Sequence, residues 1–178
     1  MEIEDKIKVI EEVLDYRFSP SNHKILIRAL TTDSHAKEHW EKGKEGNREL
    51  IESQGGLRTL GDAVLKSIQT EYLYGKMLEE YSQEKQRIEG AKKWKKDWQK
   101  AWITNKRKDL EDEGALFNAA IKLRIEPIHI GGSEKNSTEK ERLYAETFEA
   151  IIGALFLDCG YEKCKEVVLR IFPNKIND

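Results

Sequence analysis

The chain has little that would cross-link or anchor it. Only two cysteines, Cys159 and Cys164, occur in 178 residues. Two thiols form no disulfide framework, and neither lies near a histidine cluster that would make a zinc site, so a reducing cytoplasm is the natural setting. No apolar run approaches the roughly 20 residues that cross a bilayer, and the acidic N-terminus lacks a secretory leader's apolar segment, so no membrane association is expected. An excess of one charge is missing as well: 31 Lys and Arg stand against 33 Asp and Glu, a net charge of −2. Such a chain cannot coat nucleic acid through global charge, so any binding of that kind must come from a local patch. The four histidines, His23, His35, His39 and His129, are scattered and read as surface or packing residues.

What the chain does have is helical periodicity, over a length that suits one domain, residues 1–178, with a sizeable core. Residues 2–16 alternate apolar and charged positions as an amphipathic helix does. Ser19 to Asn22 read as a turn and helix start, with Pro20 tolerated in a first turn and Ser or Asn as cap. Ile25 to Leu30 continue as a short apolar helix, and residues 31–39 turn polar. Residues 41–56, charged and glycine-containing, read as a loop. Leu110 to Ile125 read as one helix stopped by Pro127, followed by a loop around Gly131 and Gly132. A helix over 141–158 is stopped by Gly160, and a last helix covers 162–172.

Two of these helices carry acids where apolar residues would be expected. Phe148, Ile151, Ile152, Leu155 and Phe156 give the stretch 141–158 the spacing of a buried or half-buried helix. Glu146 and Glu149 share one of its faces. In LRTLGDAVLKSIQTEYL, residues 57–73, the stripe Leu57, Leu60, Val64 and Ile68 frames Asp62. A charge in such company must be paired, hydrated or metal-bound. Gly61, poor in helix propensity, points to close approach of another helix. Two such helices facing each other would offer the carboxylate oxygens that Mg²⁺ takes.

LGDAVL at 60–65, followed by AETFEAIIGALFLDCGY at 145–161, resembles the ribonuclease III family. Residues 10–36, IEEVLDYRFSPSNHKILIRALTTDSHA, are similar to that family's first helices, and 116–125 before a Gly-Gly turn fits as well. The resemblance implies an all-α ribonuclease III endonuclease-domain fold and metal-dependent hydrolysis of a phosphodiester in double-stranded or structured RNA. It also implies a homodimer whose two acidic clusters flank a valley for duplex RNA. Asp62 and Glu149 then take the catalytic positions, and Asp62, Glu146 and Glu149 would hold Mg²⁺, with Mn²⁺ as the alternative ion. Glu146 stands where the family usually has Asp.

The sequence departs from the pattern in two ways. The family's acids seven and four residues before the aspartate are Gly55 and Arg58 here, and the aromatic before L-G-D is Thr59. The second of those acids is a metal ligand in the family. Glu49 or Glu52 would have to fold back to restore it. Arg58 lies one turn before Asp62, where it would either fill the cation's space or hold the scissile phosphate. The other departure is the missing double-stranded RNA-binding domain, for which 178 residues leave no room.

Residues 82–108 read as a basic, Trp-rich insertion. Lys92, Lys93, Lys95, Lys96 and Lys100 surround Trp94, Trp98 and Trp102, which recur every four residues on one helix side. The tryptophans suit packing; the lysines, with Arg58, suit phosphate contact. Two other functions stay open: an inactive RNA-binding protein on the same fold, for example ribosome-associated, and a helical interaction protein whose Trp-rich arm docks a protein partner.

Overall fold

A computed structural model describes residues 2–42, 52–87, 98–127 and 137–171. The described residues form seven α-helices and no strand beyond an isolated bridge position at Thr31. Helix α1 spans Ile3–Leu14, α2 His23–Leu30, α3 Asp33–Lys42, α4 Gly55–Arg87, α5 Trp98–Glu111, α6 Glu113–Lys122 and α7 Ser137–Ile171.

Helix α7 is the axis of the fold. From Ala150 to Leu155 every residue is buried, including Ile151, Ile152 and Gly153. A helix that is apolar all round must be covered on all sides, and α4, α6 and α2 pack against it. Helix α4 turns Leu57, Val64, Leu65 and Ile68 toward it; α1 adds Ile7, Ile10 and Leu14, and α2 adds Leu26, Ala29 and Leu30 to the same core.

Two glycines set how closely α4 and α7 meet. A Cβ on Gly61 would lie 1.7 Å from the Glu149 carbonyl oxygen, and one on Gly153 would lie 2.2 Å from the Leu57 carbonyl oxygen. Each glycine therefore receives the other helix's backbone, as the Gly61 reading requires. The crossing brings the backbone of Glu149 directly over the turn that carries Asp62.

Several boundaries differ from the sequence reading, each for a local reason. The stretch 110–125 is not one helix: Asp112 breaks it and caps α6 by accepting from Gly114 N at 3.1 Å. Helix α6 ends at Lys122, before Pro127, with Arg124 at φ 51. Residues 33–42 are helical, with Thr32 Oγ1 accepting from His35 N at 3.2 Å as a cap. Asn22 makes no capping bond to α2; its amide goes instead to Asp158. The α4 helix runs on to Arg87, into the segment read as an insertion. Gly160, at φ 76, is the kink where two helical runs meet within α7. Among the described residues no helix is long and apolar enough to cross a membrane.

Candidate active site

The α4–α7 crossing gathers two rows of charge. On α4, Arg58, Asp62 and Lys66 follow at four-residue spacing; on α7, Arg142, Glu146 and Glu149 lie across from them. Glu149 is the most perturbed group. Its carboxyl is pushed up to about 7, first by burial, then by the negative charge of Asp62; Glu146 adds to the rise, while Arg58 and Lys66 oppose it. Asp62 and Glu146 thus both act electrostatically on Glu149.

Their partners are less expected. Arg58 pairs not with Asp62 but across the crossing with Glu146, Nη1 to Oε1 at 2.8 Å. Arg142 Nε donates to the same Oε1 at 3.0 Å, so one carboxylate oxygen accepts from two guanidinium groups. Glu146 is thus no free helix charge; its side chain is 21% exposed. Asp62 accepts from Lys66 Nζ at 2.7 Å. It is also wetter than its apolar neighbours suggest, with 40% of its side chain exposed. Lys66 and Arg142 were not singled out from sequence, although each lies four residues from the acid it serves, and that spacing is the signal.

A divalent cation fits this donor set only in part. Asp62 and Glu149 are hard oxygen donors on turns that meet at the Gly61 crossing, and the Glu149 carboxyl is raised first by burial and then by the charge of Asp62, a rise that a cation would relieve. Glu146 is engaged by Arg58 and Arg142. Among the described residues no group of three His, Cys, Asp or Glu side chains is placed to hold a metal ion. Of the two acids considered as replacements for the missing one, Glu52 pairs with Arg28 at 3.0 Å. Glu49 lies outside the described residues, as do Lys92, Lys93, Lys95 and Lys96; Lys100 is on α5 and exposed.

The entry to α4 is fixed by polar contacts rather than by apolar packing. Gln54, which is buried, accepts from Thr147 Oγ1 at 3.0 Å, donates its backbone N–H to Thr31 O at 2.8 Å, and offers its carbonyl to Arg58 N at 2.8 Å. This holds the first turn of α4, and Arg58 on it, against α7.

This all-α arrangement is the fold of ribonuclease III nuclease domains. The match to the solved nuclease domain of ribonuclease III from Campylobacter jejuni has a TM-score of 0.66 at 27% identity, covering 97% of this chain and 99% of that one. That domain is described as having a flexible region involved in dimer formation. Residues 22–175 match the model of the Ribonuclease-III-like family, and the chain belongs to that family. It is 30% identical over 161 residues to ribonuclease 3 of Bacteroides thetaiotaomicron, covering 90% of this chain and 43% of the relative. Ribonuclease 3 of Carboxydothermus hydrogenoformans is 29% identical over 170 residues, covering 94% of this chain and 61% of the relative. The chain thus spans less than two thirds of these relatives.

Proposed function

We propose that the protein is a cytoplasmic endoribonuclease that hydrolyses phosphodiesters in double-stranded or structured RNA, depends on Mg²⁺ or Mn²⁺, and acts as a homodimer. One observation carries this reading: Asp62 and Glu149, from the two motifs that carry the family resemblance, lie close enough for the charge of one to raise the carboxyl of the other.

Asp62 and Glu149 are the side chains that would hold the ion, with Glu146 joining them once Arg58 leaves it. A bound divalent cation supplies an activated water and neutralises charge that builds on the phosphate. The protein's own groups do the rest. Glu149, whose carboxyl is raised to about 7 first by burial in the ion-free protein, would give up its proton to hold the ion. Lys66 offsets the charge of Asp62, and Arg58 offers a planar fork suited to a phosphate. With Arg58 drawn to phosphate, Glu146 is left to Arg142 and the site gains acidity as RNA arrives. Arg58 therefore opposes metal binding in the RNA-free protein. The basic stretch 82–108, with Lys92, Lys93, Lys95, Lys96 and Lys100, would add phosphate contacts outside the centre.

An end-labelled RNA duplex tests this. Cleavage is expected with Mg²⁺ or Mn²⁺ and none with chelator; RNA retained but uncut under both ions would favour the inactive RNA-binding alternative. A protein that retains no duplex RNA at low salt would favour the helical interaction protein. Arg58→Glu is expected to raise Mn²⁺ affinity, read by titration calorimetry without RNA; an unchanged or lower affinity removes the opposing role of Arg58, and slower cleavage despite tighter Mn²⁺ binding marks its role in holding phosphate.

A further inference from the structure

Beyond the acidic pair, the outward row of α4 changes character. Asp62, Lys66, Thr70 and Tyr74 follow at four-residue intervals, a row of about 18 Å along the helix axis. Against it lies an open groove of about 620 Å³, lined by Ala63, Lys66, Ser67, Thr70, Glu71 and Tyr74 of α4 and by Arg107 of α5. Arg107 reaches across from α5 and donates from Nη1 to Thr70 Oγ1 at 3.3 Å. The acid of the groove is already engaged. Glu71 accepts from Lys165 and, at 2.8 Å, from Tyr161 Oη. Those two bonds, the one from Lys165 first, hold its carboxyl below the usual range. The rest of the lining is two cations, two hydroxyls, Ala63 and a tyrosine ring that is 52% exposed.

We propose that this groove is a subsite for the phosphodiester backbone of the RNA strand that leaves the reaction centre. Lys66 and Arg107 take phosphate oxygens, and the Ser67 and Thr70 hydroxyls donate alongside them. The inference rests on the RNA-cleaving reading above and extends it to a place. Its ligand follows from the lining. Arginine and lysine beside serine and threonine are the side chains that contact nucleic-acid backbones. The groove begins at Lys66, the partner of Asp62, so a strand whose scissile bond sits at Asp62 and Glu149 reaches it within one helical turn. A second copy of this chain, seated on the apolar part of the lining, is the competing occupant, and a change of oligomeric state in the test below is its mark. The same helix carries Lys100, so Arg107 joins the basic residues read from the sequence to the catalytic edge of α4.

The test measures affinity of the full chain for a labelled RNA duplex by anisotropy, in chelator to stop cleavage, over a series of salt concentrations. Arg107→Gln is expected to weaken binding roughly three- to tenfold at low salt and to lessen the log–log salt slope by about one, the signature of one lost phosphate contact. Arg107→Lys should keep the slope, and Lys163→Ala, far along α7 and paired with Glu166, should change nothing. Should Arg107→Gln melt the fold, Ser67→Asp places an anion in the groove and must weaken binding by a similar factor. An unchanged affinity and slope for Arg107→Gln, or a shift in oligomeric state with the slope intact, overturns the subsite alone. A wild-type chain that binds no duplex overturns the RNA reading beneath it as well.

Discussion

Glu149 is the residue whose surroundings least suit its charge, and that misfit is measurable. Its carboxyl is raised from 4.5 to about 7, so the folded protein holds a proton that the unfolded chain gives up. In metal-free buffer stability therefore falls as pH climbs from about 4.5 to 7 and stays lowered above that. Glu149→Gln removes the penalty. It should stabilise the chelated protein at pH 8 by on the order of 2 kcal/mol and have little effect at pH 4, checked by denaturant melts at both. Equal effects at the two pH values would contradict the assigned environment. Asp158 is the opposite case. Despite the cost of its burial, bonds from Tyr16, Asn22 and Ser19 hold its carboxyl below the usual range. Tyr16 Oη and Asn22 Nδ2 each lie 2.6 Å from it, and Ser19 N 3.1 Å. Its contribution is present above the unfolded value of 3.8 and is lost as pH drops through the lowered folded value. Asp158→Asn should cost about 2 kcal/mol at pH 7 in a denaturant melt and progressively less toward pH 2. Sequence reading placed both acids correctly on the last long helix. It could not foresee that Arg58 would reach across to Glu146, because a partner on another helix has no fixed spacing.

At the scale of elements, the crossing of α4 and α7 depends on two missing side chains. Gly61→Ala would set a methyl 1.7 Å from the Glu149 carbonyl oxygen, a backbone atom that cannot step aside. The helices must part, costing about 3 kcal/mol or more and moving Glu149 away from Asp62. Gly75, in the same helix, faces open space, with nothing within 4 Å of where a Cβ would stand. Gly75→Ala should therefore stabilise by about 0.5–1 kcal/mol through helix propensity alone. Thermal melts of the two variants check the contrast; equal effects would mean that the crossing does not rest on Gly61. This close approach was legible, since a glycine beside an acid inside an apolar stripe has few other uses. The break at Asp112 was not. Leu110, Leu116, Ala119, Ala120 and Leu123 keep their apolar spacing across it, and periodicity alone does not register a cap. The helix over 33–42 was missed for the converse reason. Its face is polar, and Thr32, rather than an apolar stripe, starts it.

For the molecule as a whole, the all-α fold and the family were open to sequence reading because two ordered motifs lie on the two helices that make the core. The charge state of the site was not, because it depends on three cations, Arg58, Lys66 and Arg142, meeting three acids. Arg58 is central to that balance, since it pairs with Glu146 across the crossing. The central claim is that the acidic pair at the crossing is a reaction centre rather than a relic. Its most direct test follows one end-labelled RNA duplex under single-turnover conditions in Mg²⁺, with wild-type protein and with Glu149→Gln, reading retention and cleavage in the same samples. Both proteins are expected to retain the duplex and only the wild type to cut it, the variant being slower by at least about a hundredfold. Equal cleavage by the two proteins, or retention without cleavage by either, would contradict it.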